Sequence, residues 1–353
     1  MFLKKNKIFK FKSSVLFKLK KKLKIEEVSI KTIQDHQVLI KIKYTSICRS
    51  QIMEIDGLRG RDKFLPHLLG HEASGTVVTL GKKVKKFKIG DKVIAGWIQT
   101  NQKKYKGFKL DIFNKNKKVN SGPITTFGNY SLIYENRLVK KPNNLTMREA
   151  TLYGCALPTG AGMVINQVRP KKNDSVLVLG LGAIGLSAVA ALQCMGVKNI
   201  VAVDYNNERL RLAKKLGANY LLNSKNNNFE KNLKVLFPKG FDKCIESAGK
   251  TKTIEFGFSC IKDKVGKLYF ASHPDNKSLI KLKPHDLIRG RKIYGSWGGN
   301  CNPEKDIPRI FRLFKKNNVN LKCLLSKNYN LNDINSAIND FKKGKVIRPI
   351  IKI

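Results

Sequence analysis

The chain has 353 residues, and its 70 lysines and arginines against 25 aspartates and glutamates give a formal net charge of +45. A hydrophobic fraction of 42% with only seven cysteines excludes a disordered polyelectrolyte, a collagen-like fibre and a disulfide scaffold. The length exceeds what one hydrophobic core normally supports, so two domains are expected.

Lysine carries most of the basic charge, with 57 residues against 13 arginines, and it is scattered along the whole chain. Proteins that read nucleic acid rely more on arginine, so we expect ordinary surface lysines and no nucleic-acid partner. The odd number of cysteines gives no secreted disulfide framework, and residues 1–24 lack the features of a signal peptide. The cytoplasm is the expected compartment.

The first 150 residues have a β-rich pattern. Short strand-like runs occur at 38–44, 75–80 and 92–95, and the first alternates apolar and polar residues as half-buried strands do. Residues 99–120 are rich in lysine and asparagine, which predicts a surface lobe or loop.

From residue 175 the pattern changes to apolar runs that alternate with helical segments such as 207–216. The predicted strands are 176–179, 200–203, 243–246 and 267–271. This alternation predicts a parallel sheet covered on both faces. The tail, 307–343, returns to amphipathic helix, and a short strand is predicted at 347–353.

The stretch 175–197 has no charged residue and is long enough to span a bilayer. It contains four glycines, however, and its first part is rich in valine and leucine. We therefore interpret it as a buried strand, a glycine turn and a buried helix, and we expect no membrane association.

Residues 180–185, Gly-Leu-Gly-Ala-Ile-Gly, form a G-x-G-x-x-G motif between a predicted strand and a predicted helix. Asp204 ends the next predicted strand, where it would bind the adenosine ribose hydroxyls and repel a 2′-phosphate. The motif therefore predicts binding of NAD, with its pyrophosphate at the helix N-terminus. The expected contacts within the motif are Gly180, Gly182, Ala183, Ile184 and Gly185.

Three short segments each contain one residue of a type that binds zinc. They are Ser-Ile-Cys-Arg-Ser at 46–50, Gly-His-Glu at 70–72 and Gly-Cys-Ala at 154–156. Two cysteines and one histidine are one known ligand set of catalytic zinc, which leaves a fourth position open for substrate. A lone cysteine or histidine is more often structural, but three such segments ahead of a dinucleotide motif favour a zinc site.

With these motifs, the chain resembles the zinc-containing medium-chain alcohol dehydrogenases over nearly its whole length, especially the liver-type and glutathione-dependent formaldehyde dehydrogenase branch. Gly-Asp-Lys-Val at 90–93 and Gly-Lys-Val-Ile-Arg at 344–348 add to the resemblance. It implies an α/β protein with a GroES-like catalytic domain at 1–157 and a Rossmann, doubly wound NAD-binding domain at 158–297. Residues 298–353 would return to the catalytic domain.

The resemblance also implies roles for single residues. Cys48, His71 and Cys155 would be the zinc ligands, Glu72 would lie behind the metal, and Ser50 would relay the substrate proton. The further implied contacts are Arg49 and Arg348 at the pyrophosphate, Arg209 near the adenosine ribose, Thr159 at the nicotinamide, and Trp97, His273 and Trp297 in the substrate pocket. For His273, an ordinary surface-loop histidine is the main alternative.

The chain departs from the family pattern at three places. Many relatives hold a structural zinc with four cysteines, but 99–121 contains none, so we expect one zinc per chain. Gln51 occupies the position of a carboxylate that orients the ligand histidine, and its amide oxygen would accept the imidazole N–H. Met53 replaces a relay histidine, so protons would leave through Ser50, the ribose hydroxyls and water.

The sequence therefore predicts an NAD-dependent zinc alcohol dehydrogenase that acts on a small alcohol or aldehyde as a homodimer or homotetramer. The nearest alternative is a polyol or sugar dehydrogenase of the same superfamily. A zinc-independent reductase and a catalytically silent, basic protein that binds polyanions are more distant alternatives. The three intact zinc-ligand positions argue against both of these.

Overall fold

A computed structural model describes residues 8–353, so the first seven residues of the expected catalytic domain lie outside it. The strands are β1 (Phe9–Leu16), β2 (Lys24–Ile30), β3 (Gln37–Ser46), β4 (His67–Leu68), β5 (Glu72–Leu80), β6 (Lys92–Gly96), β7 (Phe108–Ile112), β8 (Lys117–Ser121), β9 (Tyr130–Tyr134), β10 (Leu138–Lys140), β11 (Ser175–Leu179), β12 (Asn199–Asp204), β13 (Tyr220–Asn223), β14 (Lys243–Glu246), β15 (Lys267–Phe270), β16 (Lys292–Gly295), β17 (Asn328–Asn330) and β18 (Ile350–Lys352). The α-helices are α1 (Arg49–Asp56), α2 (Met147–Ala150), α3 (Ala156–Met163), α4 (Ala183–Cys194), α5 (Asn207–Lys215), α6 (Phe229–Leu236), α7 (Thr251–Ser259), α8 (Pro284–Ile288), α9 (Pro303–Lys316) and α10 (Ile334–Lys342).

The described chain divides into two compact units. The first runs to Cys155 and also includes Asn302–Glu304 and Leu325–Ile353, and the second comprises Ala156–Cys301 and Lys305–Leu324. The sequence placed the return to the first domain at residue 298. In the structure, most of α9 and the turn after it group with the second unit.

The first unit is built from two β layers. A closed barrel has the order β1-β2-β7-β8-β4, and a larger sheet has the order β10-β6-β5-β3-β18-β17, with β9 also paired to β3. Alternation along β3 separates exposed Lys41 and Lys43 from buried Ile40 and Ile42. Leu39 is buried as well, because it joins the hydrophobic cluster of the barrel strands on the other face. Strand β3 therefore contributes to two cores.

The lysine-rich insertion only partly matches its prediction. Strands β7 and β8 form an antiparallel hairpin within the barrel, and Leu110, Ile112 and Val119 are buried there. The prediction of a surface lobe is therefore wrong for residues 108–121. Their lysines and asparagines alternate with the apolar residues that point inward, so a polar composition concealed a strand pattern of period two.

The second unit contains a parallel sheet with the order β13-β12-β11-β14-β15-β16, flanked by α4 to α7. Every strand pair in it is parallel, which confirms the predicted alternation of strands and helices. The uncharged stretch 175–197 forms β11, a glycine turn and the buried helix α4, as predicted. Within residues 8–353, no helix combines the length and apolarity needed to cross a bilayer.

Residues 99–107, which lead into β7, contact the rest of the first unit through side chains other than cysteine. The Asn136 side chain is 1% exposed, and its Nδ2 donates to the Lys103 carbonyl at 2.8 Å. The ring of Tyr105 stacks on Tyr134, with centroids 4.3 Å apart and planes 5° apart. One buried amide and one aromatic pair thus hold this segment.

We expect Asn136→Ala to lower the free energy of unfolding by roughly 1–2 kcal/mol, since the Lys103 carbonyl loses the shorter of its two hydrogen bonds and a buried amide is removed. It should also speed proteolytic cleavage within residues 99–107. Urea denaturation and limited proteolysis measure the two effects. Asn116→Ala, at an exposed position between β7 and β8, is the control and should change neither. Equal behaviour of the two variants would contradict this account of the segment.

Candidate metal centre and dinucleotide cradle

Strand pairing brings the zinc-ligand segments of the first unit together. In the antiparallel pair of β3 and β5, Thr45 lies opposite Ala73, so the residues that follow β3 meet those that precede β5. Strand β18 pairs with the same end of β3, with Ile350 opposite Ser46. The Ile47 N–H donates to the Pro349 carbonyl at 3.2 Å, which continues this register to the neighbourhood of Cys48.

The three predicted ligands converge at this end of β3. The candidate ligand atoms of Cys48, His71 and Cys155 all lie within 4.8 Å of one another, and the two sulfur atoms are 3.9 Å apart. Among the described residues, this is the one group of three or more histidine, cysteine or acidic side chains that could hold a metal ion. The His71 Nε2 atom is buried and has no hydrogen-bond partner in the described protein. A soft donor set with an unsatisfied buried nitrogen fits zinc.

The two cysteines share a hydrogen bond that shifts their pKa values in opposite directions. This bond and the nearby Arg348 guanidinium lower the pKa of Cys48 well below its usual value, although burial opposes the shift. The same bond and burial raise the pKa of Cys155 well above its usual value. The pKa values of the two thiols are therefore shifted in opposite directions, and a zinc ion bound at both sulfurs would require both to be deprotonated.

Glu72 and Arg348 form a buried ion pair beside the cysteines. They are 0% and 3% exposed, and Arg348 Nη2 contacts Glu72 Oε1. Burial raises the pKa of Glu72, an effect that Arg348 opposes. Burial alone would lower the pKa of Arg348, but Glu72 and the two cysteines raise it, so the guanidinium stays charged. Arg348 thus lies beside the candidate metal ligands, and its implied contact with a pyrophosphate stays a prediction.

Gln51 contacts two of the ligand residues from the first turn of α1. Its Oε1 accepts a hydrogen bond from the Cys48 backbone N–H at 2.9 Å. Its Nε2, rather than the predicted oxygen, faces His71 Nδ1. The side chain is 1% exposed, so water cannot readily replace either contact.

Other predicted residues of the first unit lie around this group. Trp97 follows β6, and its ring centroid is 6.5 Å from that of His71. The Ser50 hydroxyl is buried and has no hydrogen-bond partner among the described residues. Arg49 is exposed at the start of α1. These positions are compatible with the predicted roles, which stay predictions.

The three motif glycines of the second unit have different surroundings. Gly180 has φ +85°, and a Cβ atom there would lie 2.6 Å from the backbone nitrogen of Ala248. A Cβ at Gly185 would lie 2.0 Å from the Gly180 carbonyl oxygen, whereas one at Gly182 would meet nothing within 4 Å. The first and last glycines are therefore required for packing. The middle one leaves open space at the N-terminus of α4, where phosphates bind.

Asp204 ends β12 beside this cradle, as predicted. Its carboxylate accepts hydrogen bonds from the backbone N–H groups of Leu181, at 2.7 Å, and Asn206, at 2.9 Å. Arg209 Nη1 lies 3.7 Å from the same carboxylate. The glycine turn and the acidic residue are thus held in one arrangement, in which both could reach the adenosine half of NAD.

Sequence reasoning missed Glu246, which ends β14 and is 0% exposed. Its Oε1 accepts hydrogen bonds from the N–H groups of Ala248 and Gly249 and from the Thr253 hydroxyl, at 2.7–2.9 Å. Burial raises the pKa of Glu246. The residue fixes the turn that packs on Gly180, and an acidic residue at the end of an apolar strand was the signal available in the sequence.

The predicted nicotinamide and substrate contacts of the second unit are less closely grouped. Thr159 is buried within α3. His273 is exposed and meets Trp297 edge to face, with ring centroids 5.9 Å apart, and Trp297 is 68% exposed. Their roles at a nicotinamide or substrate stay predictions.

Comparisons with known proteins agree with both parts of this description. The family model for the alcohol dehydrogenase GroES-like domain matches residues 34–143, and the model for zinc-binding dehydrogenases matches residues 183–316. Alcohol dehydrogenase class-P of Arabidopsis thaliana is 26% identical, covering 98% of this chain and 97% of that protein. Alcohol dehydrogenase 1 of Pisum sativum is 27% identical, covering 98% of each. The crystal structure of benzyl alcohol dehydrogenase from Acinetobacter calcoaceticus has a TM-score of 0.87 at 28% identity, covering 98% of this chain and 99% of that chain.

We expect Gly182→Ala to weaken NAD binding by about tenfold or more, because the added methyl group occupies the space needed by the pyrophosphate. Its thermal stability should not fall, since the site is open and the backbone φ of −73° suits alanine. Gly185→Ala is the contrasting variant, which should unfold at lower temperature because its methyl group meets the Gly180 carbonyl. Calorimetric titration with NAD and thermal unfolding distinguish the two. Unchanged NAD affinity in Gly182→Ala would show that the cradle does not bind the dinucleotide.

Proposed function

Because the chain belongs to the zinc-containing medium-chain dehydrogenase/reductase superfamily, we propose that it is an NAD-dependent zinc alcohol dehydrogenase. It would transfer hydride reversibly between an alcohol and NAD. The convergence of Cys48, His71 and Cys155 within 4.8 Å is the observation that carries the proposal. The full-length similarity to proteins named alcohol dehydrogenases supports the alcohol as substrate class.

In this proposal, the first unit holds the metal and handles the substrate proton. Zinc bound to the two sulfurs and to His71 Nε2 would supply a Lewis acid that lowers the pKa of the substrate hydroxyl. The Ser50 hydroxyl, buried without a partner in the described chain and two residues from Cys48, is suited to accept that proton and pass it outward. Trp97, next to the His71 ring, would form an apolar wall of the pocket.

The second unit would hold NAD, which supplies the hydride acceptor. The N–H groups at the start of α4 would bind the pyrophosphate, and Asp204 would accept hydrogen bonds from the ribose hydroxyls. Arg209 would contact the adenosine ribose from its position beside Asp204. Thr159 would support the nicotinamide, and His273 and Trp297 would be the substrate contacts of this unit.

We propose that the protein binds one zinc ion per chain and that it is located in the cytoplasm. The absence of cysteine from 99–121 and the cysteine-free fastening of residues 99–107 support the zinc count. Within the described chain no cysteine forms a disulfide, which suits a reducing compartment.

Zinc analysis and a substrate panel test the proposed function together. The purified protein should contain about one zinc per chain and should reduce NAD with primary or aromatic alcohols, measured by NADH absorbance. Cys48→Ala should lose bound zinc and nearly all turnover, because two remaining ligands cannot hold the metal. Its affinity for NAD should change little, since the cradle lies in the other unit.

Different failures of this experiment would identify different errors. Turnover that persists in Cys48→Ala would overturn the metal mechanism. Oxidation of sugars or sugar alcohols alone would identify a polyol dehydrogenase instead. A zinc-free wild-type protein whose binding to heparin weakens steeply with salt would favour a silent, polyanion-binding protein.

We also propose that the protein is a homo-oligomer that associates through β16. This strand is one of the two edges of the parallel sheet among the described strands, so one side of its backbone is available for pairing. Close to it in sequence, Leu287, Ile288 and Tyr294 are 44%, 79% and 39% exposed. An edge strand with apolar neighbours suits a two-fold interface, in which the same surface meets its copy.

Sedimentation velocity tests this association. The wild-type protein should sediment as a dimer or tetramer, and Ile288→Lys should shift it toward the monomer, because a lysine in the contact would be desolvated without a partner. Val235→Lys is the matched control, at another exposed apolar position, on α6, and should not dissociate the protein. A monomeric wild-type protein, or equal dissociation by both variants, would contradict the proposed interface.

A further inference from the structure

The Gln51 side chain lies between two hydrogen-bonding groups whose requirements differ. On one side is the backbone N–H of Cys48, 2.9 Å from Gln51 Oε1. On the other side is His71 Nδ1, which faces Gln51 Nε2. Cys48 and Gln51 are 8% and 1% exposed, so these bonds form away from bulk water.

The backbone N–H of Cys48 fixes the orientation of the Gln51 amide. A backbone N–H can only donate, so the amide must present its oxygen to Cys48. The NH₂ group then faces His71, and it can also only donate. His71 Nδ1 must therefore accept, which places the proton of the neutral ring on Nε2.

A metal ion requires the opposite tautomer of His71. The ring nitrogen that has no partner in the described protein is Nε2, and it must offer a lone pair to bind zinc. The proton of the neutral ring is then on Nδ1, where it meets the NH₂ group of Gln51. If the amide rotates by half a turn, its oxygen accepts from His71 Nδ1–H, but its NH₂ group then faces the Cys48 N–H, so two donors again meet. A carboxylate at this position would have two accepting oxygens, one for each donor.

We propose that Gln51 is a positioning residue that stabilises the zinc-free tautomer of His71 and thereby weakens zinc binding. This inference rests on the zinc site of the proposed function. Formation of the metal site leaves one buried donor, either Cys48 N–H or His71 Nδ1–H, without an acceptor, which costs free energy. Changing a residue that hydrogen-bonds a metal ligand typically alters metal affinity by about 10–100-fold. The site should therefore exchange zinc more readily than one with a carboxylate in place of Gln51.

Zinc affinity in two glutamate variants tests the proposal. In competition with a chromophoric chelator, Gln51→Glu should bind zinc about 10–100-fold more tightly than the wild-type protein. Gln37→Glu is the matched control, because Gln37 is also 1% exposed but lies at the opposite end of β3 from Cys48. It introduces a buried carboxylate of the same kind, and zinc affinity should stay at the wild-type value.

The tautomer of His71 provides a readout that added charge alone would not move. In zinc-free, ¹⁵N-labelled wild-type protein, at a pH where the ring is neutral, the nitrogen shifts of His71 should show a proton on Nε2. In zinc-free Gln51→Glu, the proton should move to Nδ1, where the carboxylate accepts it.

Three results separate the possible failures. A proton on Nδ1 in the zinc-free wild-type protein would overturn the inference, even with the zinc site intact. Zinc binding by folded Gln51→Glu that is no tighter than wild type would overturn it as well. A wild-type protein that binds no zinc at all would remove the proposed function and this inference together.

Discussion

The pairing of β3 with its neighbours is the constraint on which the candidate metal centre depends. Its last residues pair with β5 on one side and with β18 on the other. The register on the first side brings His71 to Cys48, and the register on the second side brings Arg348 to the same end. A shift of one residue in either pairing would turn these side chains to the opposite face. The ligand geometry is therefore a consequence of sheet register, which the two buried cores on β3 fix.

The buried charges around this centre are mutually compensating once a metal is included. In the proposed site, two thiolates and the Glu72 carboxylate would balance the charges of a bound Zn²⁺ and the Arg348 guanidinium. Without Arg348, the same cluster would carry a net negative charge away from water, which is costly. This explains why an arginine is 3% exposed in a protein whose other basic residues largely cover the surface. The opposite pKa shifts of Cys48 and Cys155 have a related cause, because two adjacent thiolates without a metal would repel each other.

The second unit has a different requirement, because a ligand bound by backbone N–H groups needs open space beside the backbone. Its helix α4 begins at the open side of Gly182, and neighbouring turns close around Gly180 and Gly185. Glu246 holds one of these turns by accepting backbone N–H groups, so a carboxylate supports the cradle from within the protein. In the proposed function, recognition of phosphates would rely on backbone dipoles and would not need the large lysine excess.

Periodicity and local motifs determined much of this protein from the sequence alone. The strand and helix alternation after residue 175, the glycine motif and Asp204 each depend on residues close together in the chain, so they were predictable. The candidate zinc-ligand segments were predicted from residue type and order, and the structure brings their three side chains together. The sequence could not show the partners that depend on long-range pairing.

Tertiary structure alone decided how the side chains of this site combine. The pairing of β18 with β3 places Arg348 on Glu72, a contact that the sequence did not predict, while its implied contact with a pyrophosphate stays a prediction. Gln51 was expected to offer its oxygen to His71, but the backbone N–H of Cys48 takes that oxygen. The lysine-rich insertion was expected to be a surface lobe, but about half of its residues form two strands of the barrel. In each case the outcome depends on a hydrogen-bonding or packing partner distant in sequence or on a competing backbone donor, which local patterns do not encode.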